Sequence, residues 1–86
     1  MRVIIPSALH SYTGGKRQAE AVGKTVAELI KDLDRQFPGF GFRIVDEQGA
    51  LRPHIRVSVN LEVVASLDSV VKPTDEVALI QAFSGG

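Results

Sequence analysis

The sequence predicts an α+β domain: a mixed sheet of four to five strands packed on one main helix. Three features carry that expectation. A β-branched run opens the chain, one segment alone has strong helical periodicity, and the second half consists of short runs separated by turn residues. A helix with a single apolar stripe has to bury it, and a sheet is the partner this chain supplies.

Arg2 to Ile5 is a short β-branched run closed by Pro6 and reads as the first strand. Ser7 to Gly15 is rich in turn residues. Lys16 to Val22 alternates, with Ala19 and Ala21 on one face and Gln18 and Glu20 on the other, and is read as a second strand in a hairpin with the first. Thr25-Val26-Ala27-Glu28 is a capping box, in which the Thr25 hydroxyl accepts from the Glu28 amide and the Glu28 carboxylate reaches back to the Thr25 amide. Val26, Leu29, Ile30, Leu33 and Phe37 then form one apolar stripe, with Lys31, Asp32, Asp34 and Arg35 on the other side. Pro38-Gly39 stops the helix.

Phe40 to Val45 fits either a short strand or one more helical turn, and Asp46 to Gly49 is a turn. Ile55 to Val59 alternates as a strand with one buried face. Asn60 begins a turn, Leu61 to Val64 reads as a short edge strand, and Lys72 to Asp75 is another turn. Glu76 to Phe83 is the last strand. The order is strand, strand, helix, strand, short strand, strand. A doubly wound sheet would need further helices. The lone helix is the natural crossover between the first and last strands, which are therefore expected as a central parallel pair. That arrangement is the β-grasp. Residues 1–83 form the expected domain and residues 84–86 a flexible tail.

Eighty-six residues are read as one domain, with 44% hydrophobic and 23% charged residues, ordinary globular values. Ten basic and ten acidic side chains cancel, which points away from nucleic acid and from a membrane-surface patch. The absence of cysteine removes disulfides, thiolate metal sites and cysteine nucleophiles together. No apolar run approaches a membrane span, and Met1 to Pro6 is too short for a signal peptide, so the expected compartment is the cytoplasm.

Chemistry concentrates at the end of the chain. Gly85-Gly86 follows the apolar stretch Val77 to Phe83. Two such glycines arise by chance in roughly one chain in 200. Without a Cβ they thread a slot too narrow for other residues. Ser84, Gly85 and Gly86 together extend about 10 Å at roughly 3.4 Å per residue. If Val77 and Leu79 face the helix, Ala78 and Ile80 face outward and Phe83 sits at the root of the tail. Ile80, Ala82 and Phe83 are then a candidate apolar docking surface; the competing reading places Ile80 and Phe83 in a core under a loop.

Other signals are weaker. His10 and His54 lack converging ligands and read as loop or surface histidines. Gly14-Gly15-Lys16 lacks the earlier glycine of a phosphate loop and reads as a hairpin turn, and Gly39-Phe40-Gly41 is punctuation after the helix. Ser7, Ser11 and Ser58 have no histidine–acid pattern around them. Arg43, Arg52, Arg56 and Lys72 are read first as solvated charges and second as a basic rim that steers an acidic partner.

Val59-Asn60, Leu67-Asp68, Thr74-Asp75-Glu76-Val77 and the terminal Gly85-Gly86, set in this element order, resemble the MoaD/ThiS sulfur carriers, the ubiquitin-like β-grasp proteins of bacteria. Only the terminal pair is specific. Thr74 stands where that family commonly has glycine, and Leu61 where it has a small or acidic residue. The long segment Phe40 to Pro53 is similar to the subgroup that serves cysteine or metabolite sulfuration.

The resemblance implies a carrier, not an enzyme. Its Gly86 carboxylate is adenylated by a separate adenylyltransferase related to ubiquitin-activating enzymes, which uses ATP and Mg²⁺. Sulfide or a persulfide protein then displaces AMP to leave a thiocarboxylate, which donates sulfur to an acceptor synthase. No cofactor is bound by the carrier itself. The acceptor is open between molybdopterin, thiamine and cysteine biosynthesis. Two other functions stay open: a protein modifier joined through Gly86 to lysines, and a plain β-grasp interaction module.

Overall fold

The computed structural model describes residues 1–64 and 66–81. β1 is Arg2–Ile4, β2 Gln18–Glu20, β3 Ile55–Val59, β4 Glu62–Val64 and β5 Glu76–Gln81; α1 is Val26–Gln36 and α2 Phe40–Ile44. The five strands form one sheet in the order β2-β1-β5-β3-β4. β1 and β5 are the parallel pair, with Val3 opposite Val77, and every other neighbouring pair is antiparallel. The expected β-grasp is therefore observed, with five strands and one main helix.

The helical stripe does what its spacing predicts. Val26, Leu29, Ile30 and Leu33 are buried with Val3, Ile5, Ile55, Val57, Val77 and Leu79 from the sheet, and Phe37 is packed against this core half-buried. The cap differs in one bond. The Glu28 amide donates to Thr25 Oγ1 at 3.2 Å as expected, but the Glu28 carboxylate accepts from Lys24, one residue before Thr25, at 3.2 Å. The two preceding helical amides are satisfied from a distant loop: Val26 donates to the Ser69 carbonyl and Ala27 to the Leu67 carbonyl, at 3.0 and 2.9 Å.

Two segments differ from expectation, and a third resolves between the two readings open to it. Ser7–Thr13 is a 3₁₀ helix, not a loose turn. It begins after Pro6, buries Leu9 and Thr13, and ends at Gly14 with φ 66°. The Thr13 hydroxyl donates within this loop to His10 and Lys16 carbonyls, which leaves no unsatisfied buried side chain there. β2 is shorter than the Lys16 to Val22 run, although Ala19 and Ala21 do face inward. Phe40 to Val45 resolves in favour of helix: Gly39 at φ 93° reverses the chain, and α2 buries Phe40 and Ile44 beside α1. β5 is described to Gln81; the expected extension through Ala82 and Phe83 lies outside the described residues.

Two of the sequence motifs turn out to be one unit. The Asn60 amide donates to the Glu76 carbonyl, the Asn60 side chain donates to Asp75 and accepts from the Glu76 amide, and Asp75 accepts from the Lys72 amide. The β3–β4 turn is thereby fastened to the entry of β5. No helix among the described residues is long and apolar enough to cross a membrane.

Candidate functional site

β5 divides its side chains as the alternation predicts. Val77 and Leu79 are buried with the helix, Ala78 is half-buried and Ile80 is 42% exposed on the other face. The reading that placed Ile80 in a core under a loop is therefore set aside. Register partners Gln18, Ile4, Ala78, Ser58 and Val63 run in one row across all five strands. Ile4 and Ala78 are half-buried and Val63 exposed, so with Ile80 this outer face has an apolar centre. Ile4 and Val63 are members that the sequence reading misses. The signal for Ile4 is its place between Val3 and Ile5, whose side chains point into the core. The remaining proposed site residues, Ala82, Phe83, Ser84, Gly85 and Gly86, lie outside the described residues.

The four cations of the basic rim do not form one group. Arg43 and Arg52 line a common depression with Gln81, at the end of β5, and Arg56 is the register partner of Ile80. Lys72 sits at the other end, before β5 begins, where its amide bonds Asp75. Arg43 lies over the Tyr12 ring, 5.1 Å from its centroid, and Arg52 over the Phe42 ring at 4.6 Å. These stacks join residues far apart in the chain, and no local spacing announces them.

The histidines stay apart from any acid cluster. A ring nitrogen of His10 is 3.0 Å from the Ile5 carbonyl, and His54 is exposed. Among the described residues no three His, Cys, Asp or Glu side chains converge as metal ligands would. The perturbed carboxyls are structural. Asp32 is held below its usual range first by the Arg35 guanidinium and then by the Val22 amide. Asp46 is lowered chiefly by the Ala50 amide and Asp75 by the Asn60 side-chain amide. Each ties a loop to its surroundings, and none adjoins Ile80.

Comparison with known proteins places this geometry. A sequence model described as the ThiS family matches residues 3–86. Sulfur carrier protein CysO of Mycobacterium tuberculosis is 32% identical over 89 aligned residues, covering 98% of this chain and 96% of that protein. The crystal structure of the Amycolatopsis orientalis BexX/CysO complex contains a chain 38% identical, with a TM-score of 0.91 over 99% of this chain and 98% of that one. SAMP1 from Haloferax volcanii superposes with a TM-score of 0.77 at 26% identity, over 100% of this chain and 98% of that one.

Proposed function

From its membership of the ThiS family, to which this chain belongs, we propose that it is a sulfur carrier protein, a substrate for enzymes and not itself a catalyst. The observation that supports this most is the family match, which runs through the Gly85-Gly86 pair, together with likeness to CysO over nearly the whole of both chains. The reacting group is the Gly86 carboxylate. An oxygen of that carboxylate attacks the α-phosphorus of ATP on a partner adenylyltransferase and pyrophosphate leaves. Hydrosulfide then adds at the carbonyl carbon, AMP leaves with the adenylate oxygen, and the C–S bond of a thiocarboxylate remains. The body contributes the sheet whose last strand precedes the Gly85-Gly86 pair in the chain, and the apolar outer face around Ile80 docks the partner.

Among the acceptors, an enzyme of cysteine biosynthesis is the one we favour. The named relatives are CysO proteins, and α2 with its following turn supplies the long segment between helix and third strand that suggests that subgroup. Intact-mass spectrometry of the protein made together with its activating enzyme and a sulfide source tests the chemistry. The expected result is a mass gain of one oxygen-to-sulfur exchange that is lost when Gly86 is deleted. An unchanged mass in the presence of a competent activating enzyme sinks the proposal.

The likeness to SAMP1, a small archaeal modifier protein, supports a second reading in which Gly86 is joined to lysine amines. The same adenylate serves both, because only the incoming nucleophile differs. Gel-shifted conjugates that vanish on deleting Gly86 would favour the modifier.

A further inference from the structure

The chain has zero net charge, yet its charges are balanced differently at the two ends of β5. At the start of the strand Glu20, Asp75 and Glu76 gather with the Met1 amino group, Arg2 and Lys72, so acids and bases offset one another there. At its end, Arg43 and Arg52 line an open depression of about 330 Å³ together with Phe42, His54, Ile55 and Gln81, and no carboxylate of the described residues is part of that lining. Arg56 stands one step along β3, beside Ile80. The ion pairs among the described residues are Met1–Glu20, Arg2–Glu76 and Arg35–Asp32, so none of these three arginines is neutralised by one. The neighbouring Asp46 accepts the Gln48 and Ala50 amides at 2.9 and 3.0 Å, and the Arg52 charge acts on it as a lesser influence without a direct ion pair.

Two of the arginines are held in place before any partner arrives. Arg43 rests on Tyr12 and Arg52 on Phe42, and Arg52 Nε donates to the Phe42 carbonyl at 2.7 Å. Arg56 donates to the Pro53 and Ile55 carbonyls at 2.8 and 3.0 Å. A free surface arginine loses its rotamer freedom on pairing, which is why most exposed ion pairs contribute little. Stacked guanidiniums have lost it already, and their planar forks match carboxylates in a bidentate way.

We propose that this arginine face is a docking surface for a partner protein that presents a cluster of carboxylates. It concerns recognition alone and stands apart from the chemistry assigned to Gly86. A protein fits better than a nucleic acid because exposed Ile80 lies directly beside Arg56, an apolar-next-to-arginine pattern typical of protein interfaces, and because a net charge of zero gives no long-range pull on a polyanion.

The test is an NMR titration of the labelled chain with a peptide of alternating Glu and Ser, with an oligodeoxynucleotide of equal charge, and with inorganic phosphate. The peptide should shift the amides of Arg43, Arg52, His54, Arg56 and Gln81 selectively. Its affinity should fall about tenfold in R43E/R52E, while R2E/K72E, an equal charge change at the other end of β5, should leave it within about twofold. If R43E/R52E loses its dispersed spectrum, R56E against R2E, again an equal charge change, carries the comparison. Equal losses in both double variants, or tighter binding of the oligonucleotide or of phosphate at the same amides, would overturn the proposal.

Discussion

Leu61 is the residue least suited to its place. It occupies the second position of the two-residue β3–β4 loop at φ 73°, following Asn60 at φ 51°, and its side chain is 94% exposed. Asparagine suits the first position of such a turn and glycine the second. A leucine there bears left-handed strain of roughly 1–2 kcal/mol, with no burial to offset it. Leu61→Gly should therefore raise stability by about 1 kcal/mol, part of the strain relief being cancelled by the freer unfolded chain. A denaturation midpoint that falls would contradict this. Gly23 presents the opposite case. A Cβ built there would lie 2.6 Å from the Leu29 amide nitrogen and 2.9 Å from the Glu28 carbonyl carbon, both backbone atoms that cannot yield cheaply. Gly23→Ala should cost about 2 kcal/mol by overpacking, measured by the same denaturation. Neither effect is fully legible in the sequence. Leu61 stands out only as a departure from a family habit, and Gly23 looks like ordinary linker, because the atoms it accommodates belong to the helix that folds back over it.

Elements are legible where one local rule dominates. α1 has periodicity, cap and stop signal in agreement, and its limits follow from them. β3 and β5 have clean alternation, so both their inward faces and the outward direction of Ile80 can be read before any contact is known. Where the deciding term is tertiary, the reading fails or stays open. The 3₁₀ segment, part of the β1–β2 connection, is set by burial of its own Leu9 and Thr13, and α2 by a positive-φ glycine that turns Phe40 inward. The cap of α1 shows both kinds of support, since Thr25 and Glu28 are local while the carbonyls of Leu67 and Ser69 come from the loop before β5. Thr25→Ala should remove only the local share and cost about 1 kcal/mol, with the helix retained in circular dichroism. A cost near zero would mean that the loop carbonyls alone anchor that end.

Across the whole molecule, carboxylates hold the loops and the outer face of the sheet is left uncovered by the helix; the hold of the loops and the proposed docking role of that face can each be tested. Asp32, Asp46 and Asp75 all have folded-state pKa values below the ordinary 3.8, because donors favour the charged form. A depressed carboxyl contributes stability that is complete above the unfolded pKa and disappears as pH falls through the lower folded value. Stability should therefore hold from neutrality to about pH 4 and decline below it, as unfolded carboxyls take up protons first. Asp75→Asn should flatten that decline; an equally steep loss would show that Asp75 is not among its causes. The docking role turns on Ile80. Its side chain lies outside the core but is more than half covered on a central strand, while the new carboxylate of Ile80→Asp would face Arg56 across the strand pair, a favourable neighbour. Folding stability should fall by about 1 kcal/mol, small enough to leave the fold intact. A docking anchor behaves differently, because burying it in a partner contributes roughly 1–2 kcal/mol, which makes the adenylation rate at low carrier concentration fall about tenfold. Ser58 and Ala78 between Ile4 and Val63 keep the middle of that row low, so that a partner would meet Ile80 toward the Gln81 end of β5. Unchanged adenylation by Ile80→Asp, with folding intact, would move the docking surface off this face altogether.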